Sequence, residues 1–181
     1  MLDELLQFNR NFVAQKGYEP FQTGKLPIRK LAILTCMDTR LTELLPAALG
    51  IRNGDVKLIK NAGAIISSPF GSVMRSLIVA IYAQEVEEIL VIGHHDCGMQ
   101  CFDNQIILDK MKKHGITEEK IDFLRYVGID FDRWLNGFSD VFESVRSTVD
   151  LIKHHPLIPA DVQVYGLIID PHTGQLERAT D

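Results

Sequence analysis

Three stretches of this chain are nearly unbroken in isoleucine, leucine and valine: KLAILTC (30–36), EILVIGHH (88–95) and VQVYGLIID (162–170). A strand with one solvated face alternates apolar and polar residues, whereas a strand buried on both faces does not. These runs therefore belong to a sheet covered on both sides. A fourth strand is read at VKLIKNAG (56–63). Helical patterns fall between and after them: LTELLPAALG (41–50), GSVMRSLIVAIYAQEVEE (71–88), DNQIILDKMKKHG (103–115), TEEKIDFLRYVG (117–128) and FSDVFESVRSTVDLIKHH (138–155). Strands separated by helices imply right-handed βαβ crossovers and a mainly parallel sheet.

At the N-terminus, Leu2, Leu5, Leu6, Phe12 and Val13 recur at helical spacing, ahead of the breaker-rich loop KGYEPFQTGKLP (16–27). That pattern predicts an amphipathic helix. The expected architecture is one α/β domain over residues 1–181, a length suited to a single core. Its central sheet is mainly parallel and flanked by helices, with residues 1–18 forming an N-terminal helical arm.

Charge and hydropathy remove several function classes. A net charge of −5 offers no footprint for nucleic acid or an anionic membrane. No apolar run approaches the ~18 residues that a transmembrane helix needs. The opening MLDELLQFNRNFV is acidic where a secretory signal would be basic, so a cytoplasmic location is expected by default. In such a compartment three cysteines, an odd count, favour metal or thiol chemistry over a disulfide framework.

In open parallel sheets, functional residues sit just past the carboxyl ends of strands. That brings together TCMDTR (35–40) and GHHDCGM (93–99), which offer Cys36, Asp38 and Arg40 on one side and His94, His95, Asp96 and Cys97 on the other. Thiolate and imidazole converging from neighbouring strand ends suit zinc, whose preferred ligands are nitrogen and sulfur in tetrahedral geometry. His94 and Cys97, three residues apart, can meet at one ion, with Cys36 as a third ligand from the next strand. The fourth position decides the outcome. Cys101 there would close a structural site; water there would leave a catalytic one. Asp38 and Arg40 favour the open site. An ionised aspartate only accepts hydrogen bonds and so orients a proton-bearing ligand, while Arg40 holds that carboxylate in a bidentate pair.

These motifs carry a resemblance. From ILTCMDTRL through ALGIRNGDVKLIKNAG and VMRSLIVAIY to VIGHHDCGM, the chain closely resembles the β-class carbonic anhydrases, and within them the archaeal-type (Cab-type) subclass. The resemblance implies one zinc per chain on Cys36, His94 and Cys97, with Asp38 and Arg40 as the catalytic dyad. It also implies that Asp38 swings onto the metal in a closed form of some members. The implied reaction is the reversible hydration of carbon dioxide to bicarbonate, with zinc lowering the pKa of its water from about 15.7 towards about 7. The implied assembly is a homodimer or higher homo-oligomer, its N-terminal helix reaching over the partner subunit.

Two departures stand out. His95 follows the zinc histidine where many members have a small or hydroxylic residue. It is read as completing hydrogen bonds around the site, with proton transfer as the alternative. Cys101 matches no family ligand and is read as a packed thiol. His154 and His155 are expected to cap a helix C-terminus, His114 and His172 to lie exposed, and the backbone at Ala62 and Gly63 to approach the site. Carbonyl sulfide or carbon disulfide hydrolysis on the same zinc site remains an alternative, as does a non-catalytic module built on structural zinc. A thiol-redox role is disfavoured because no C-x-x-C pair is present.

Overall fold

A computed structural model describes residues 1–180. Its core is a five-stranded sheet: β1 (Leu31–Cys36), β2 (Val56–Asn61), β3 (Glu88–His94), β4 (Gln163–Ile169) and β5 (Leu176–Arg178), in the order β2-β1-β3-β4-β5. The first four are parallel, and β5 returns antiparallel to β4. The three aliphatic runs form the centre (β1, β3 and β4). The more polar fourth run, β2, is an edge strand with no fully buried residue. Charge along an edge is how sheets avoid pairing with other chains. The short β5 has no counterpart in the sequence reading.

Helices α1 (Leu2–Ala14), α2 (Leu41–Ala48), α3 (Ser72–Gln84), α4 (Asn104–Lys113), α5 (Glu118–Tyr126), α6 (Phe131–Trp134) and α7 (Val141–Lys153) complete the chain. Where α3 was expected to run to residue 88, it stops at Gln84. Glu85 is left-handed (φ 59°), and Val86 turns into the core at 2% exposure. Burying that valine outweighs one more helical turn. Helices α4 to α6 gather around their own small cluster of Leu108, Ile121 and Phe131. The N-terminal helix forms as expected but buries none of its residues; Leu2, Leu5, Leu6 and Val13 lie open.

The sheet is pinned to α7 at a close approach. Gly93 in β3 and Gly166 in β4 leave space that Val145 of α7 fills. A Cβ at Gly93 would lie 2.7 Å from a Val145 methyl, and one at Gly166 2.6 Å from the other. Because Gly93 immediately precedes His94, this contact also sets the height of the histidine at the end of β3. Asp140 stabilises the start of α7 by accepting from the Glu143 amide at 2.9 Å.

The paired histidines beyond α7 divide. His154 lies against the Asp150 carbonyl (Nδ1···O 2.9 Å), as expected for a helix C-terminus. His155 instead turns inward, a correction to the expected cap. At 4% exposure, its Nε2 meets the Pro69 carbonyl at 2.9 Å and its Nδ1 accepts from the Leu157 amide at 3.2 Å. A site with partners for both ring nitrogens outcompetes an exposed helix end.

Replacing Gly93 or Gly166 with alanine should each destabilise the protein by about 1–3 kcal/mol through overpacking. Adding Val145→Ala to either should recover part of that loss instead of adding to it. Urea unfolding of the single and double variants measures both.

Candidate active site

The residues singled out from the two motifs converge at the carboxyl ends of β1 and β3. Those strands are adjacent, with Thr35 beside Ile92, and the Thr35 hydroxyl donates across to the Ile92 carbonyl at 2.9 Å. Cys36 ends β1 and His94 ends β3. A turn through Asp96, whose φ is +52°, brings Cys97 back beneath the histidine. The donor atoms of Cys36, His94 and Cys97 all lie within 4.8 Å of one another, and the three residues are buried.

Each donor is prepared by its surroundings. The His94 Nδ1 lies 2.8 Å from the His95 carbonyl, so it carries the proton and leaves Nε2 as the free lone pair. That Nε2 is fully buried without a hydrogen-bond partner. An orphaned imidazole nitrogen facing two sulfurs is costly in a protein interior unless something positive occupies the space between them. The Cys36 and Cys97 sulfurs stand 3.9 Å apart. This proximity lets one proton serve both. The hydrogen bond with Cys97 is the main reason the Cys36 thiol falls to about 4, against the cost of burial. Its counterpart, Cys97, is pushed far up by sharing with Cys36 and by burial. A divalent ion would take the place of that shared proton, and the donor set of two thiols and one imidazole fits zinc.

A third segment joins the site. After β2, the tight turn Ala62–Ala64 carries Gly63 at φ +79°. Its amide donates to the Cys36 sulfur at 3.4 Å. A side chain there would strain the backbone and place a Cβ 3.1 Å from the Met99 Cβ. Asn61 closes the turn by donating to the Ile65 carbonyl at 2.5 Å. The sequence pointed to the backbone approach at Gly63 but not to the Asn61 contact.

Asp38 sits at the edge of this group, its Oδ2 3.9 Å from the His94 Nε2. Arg40 grips it side-on: Nε donates to Oδ1 at 3.0 Å and a terminal nitrogen to Oδ2 at 2.8 Å, while the Arg40 amide adds a third bond to Oδ1 at 2.9 Å. These hydrogen bonds hold the Asp38 carboxyl down at about 2, against partial burial. The outer end of the guanidinium reaches the other motif, donating to the Asp96 carboxylate at 2.7 Å and to the Asp96 carbonyl at 2.8 Å. Sequence reading placed Asp96 in the group without giving it a task; an acid facing Arg40 across adjacent strand ends was the available signal.

One expectation is revised and a second is made specific. Cys101 is not a packed thiol: it is exposed, and among the described residues it does not join the ligating group. A left-handed backbone (φ +51°) and its amide bond to the Phe138 carbonyl (2.7 Å) direct the loop away from the sulfurs. His95 completes the hydrogen bonding around His94 through its backbone carbonyl; its ring faces Glu177 of β5 at 3.1 Å. A cleft of about 340 Å³ opens onto the cluster between Met37, Asp38, Ala62 and Met99.

Fold and cluster together define a class: an α/β protein whose adjacent parallel strands deliver a Cys₂His group able to hold a metal ion beside an arginine-held aspartate. Comparison with known proteins gives the family. A carbonic anhydrase profile matches residues 31–176. The protein of Bacillus subtilis (strain 168) named "Putative carbonic anhydrase YtiB" is 54% identical over 177 residues, spanning 98% of this chain and 95% of its own. A carbon disulfide hydrolase of Acidithiobacillus thiooxidans is 32% identical over 82% of this chain and 76% of its own. Among solved structures, β-carbonic anhydrase isoform I of Trichomonas vaginalis superposes with a TM-score of 0.91 at 32% identity, covering 100% of this chain and 98% of that one. The chain belongs to the β-class carbonic anhydrase family.

Two outcomes follow from the charges. In metal-free protein, Asp38→Asn should cost about 1 kcal/mol near neutral pH. The folded-state pKa is depressed, so the difference should persist above the ordinary carboxylate range and close as pH falls towards about 2. Acid titration of the two unfolding curves reads this. Binding of one zinc at about pH 8 should release at least one proton per chain, supplied by Cys97, as an indicator dye in weak buffer would show.

Proposed function

We propose that this protein is a zinc-dependent carbonic anhydrase that interconverts carbon dioxide and bicarbonate, with one zinc per chain held by Cys36, His94 and Cys97. The observation that carries this reading is the buried, unpartnered His94 Nε2 facing two sulfurs, with the fixed Asp38 carboxylate 3.9 Å away. When bound, zinc supplies a water acidic enough to serve as a nucleophile near neutral pH.

The protein's own groups do the rest. Asp38, ionised and bound on both oxygens by Arg40, can only accept. It therefore favours a ligand that brings a proton and turns that ligand's remaining lone pair towards the cleft. Arg40 keeps the carboxylate aimed and offsets the negative charge that two thiolates and an aspartate bring together. The Gly63 amide draws charge from the Cys36 sulfur. Two methionines and an alanine at the mouth suit a small substrate without hydrogen-bond donors.

Among the described residues no helix is long and apolar enough to cross a membrane, and we place the protein in the cytoplasm. We further assign it to a homodimer or larger homo-oligomer of the archaeal-type subclass. The bare apolar face of α1 suits an arm laid over a partner subunit.

Hydrolysis of carbon disulfide is the second reading, favoured by the relatives of that activity. The deciding experiment is rapid-mixing assay of carbon dioxide hydration on protein of measured zinc content. Hydration should rise with pH, and Asp38→Ala should lower it by roughly 100-fold or more while zinc stays bound. Zinc-loaded protein inert towards carbon dioxide at about pH 8.5 but active on carbon disulfide would replace the first reading with the second.

A further inference from the structure

The two loops that supply the metal-binding group are stitched together by one side chain, Arg40, and the stitch on the far side is Asp96. Four donor contacts leave the guanidinium: two to the Asp38 carboxylate, one to the Asp96 carboxylate and one to the Asp96 carbonyl. Asp96 lies within the tetrapeptide His94–Cys97, so its position is tied to two of the three candidate ligands. A non-glycine residue holding φ +52° is strained unless its surroundings keep it there. Asparagine and aspartate bear this conformation best among residues with side chains.

We propose that Asp96 is a positioning residue that, through Arg40, keeps the Asp38 carboxylate away from the metal position. Asp38 is close enough to matter, 3.9 Å from His94 Nε2. To reach an ion at the centre of the ligand group it must rotate off Arg40. An arginine held by Asp38 alone could turn with it. One also anchored to Asp96 cannot, so rotation breaks the side-on pair outright. The Asp96 carboxylate is 76% exposed, and screening makes its hold on Arg40 modest. Its loss should therefore shift the balance of Asp38 positions and leave the fold intact.

This inference rests on a metal at Cys36, His94 and Cys97 but not on the identity of the substrate, and its test uses none. The full-length protein is loaded with cobalt(II), and azide binding is followed by visible absorption at one pH. Azide needs the coordination position that Asp38 would take. Asp96→Gly, which keeps the left-handed backbone and the residue 96 carbonyl, should weaken azide binding about three- to tenfold. Asp96→Asn, which keeps an acceptor but not the charge, should fall between it and the parent. A crystal structure of the zinc-loaded Asp96→Gly protein should show the Asp38 carboxylate on the metal.

A merely structural Asp96 would lower metal content and thermal stability without changing azide affinity in the protein that remains loaded. That result, or equal or tighter azide binding, overturns the proposal. If Asp96→Gly does not hold cobalt, Asp96→Asn decides alone: unchanged azide affinity refutes the inference and weakened affinity sustains it. Weakened azide binding by the Asp96 variants in a protein inactive towards carbon dioxide would sustain the inference while removing the hydratase reading.

Discussion

A buried imidazole nitrogen without a partner, set against two cysteine sulfurs 3.9 Å apart, is the constraint around which this molecule is arranged. Leaving a polar group dry in a protein interior costs on the order of 1–3 kcal/mol, which the facing Cys36 sulfur and the Asp38 carboxylate 3.9 Å away offset only in part. The fold nevertheless takes some trouble to create it. One ring nitrogen is satisfied by the neighbouring carbonyl so that the other faces inward, and the cysteines arrive from the end of β1 and from the turn after β3. Residues in such an arrangement could hold a cation between them.

Charge balance explains the ring of groups outside that cluster. Two thiolates, Cys36 already ionised and Cys97 ionising only as a metal displaced its proton, would with the nearby carboxylate bring more negative charge than one dication neutralises. Arg40 supplies the remaining positive charge and the Gly63 amide a partial one. Both come from segments remote in sequence from the histidine loop. The sheet places them together, because β2, β1 and β3 lie side by side and end at the same level.

Much of this was legible beforehand, and the limits have physical causes. Strands buried on both faces announce themselves by composition, so β1, β3 and β4 were read as strands of a mainly parallel sheet, with β1 and β3 as neighbours. The adjacency of Cys36 and His94 followed from where parallel strands end. Short elements were not legible: β5 has three residues and α6 has four, and both form because the chain already around them is in place. Tertiary burial also overrode local pattern. Val86 ended α3 early, and His155 left a helix end for two partners supplied by distant and neighbouring backbone. Cys101 was misjudged because a free cysteine is usually buried, and nothing in its neighbours revealed the left-handed backbone that turns it outward.

The valine wedge between β3 and α7 has a wider meaning. Val145 presses on the residue directly before His94 and simultaneously on β4, so the histidine rests on the hydrophobic interior and not on a detachable surface loop. Chemistry and scaffold therefore share one cooperative unit. Heat that loosens the last long helix would therefore also loosen the footing of His94.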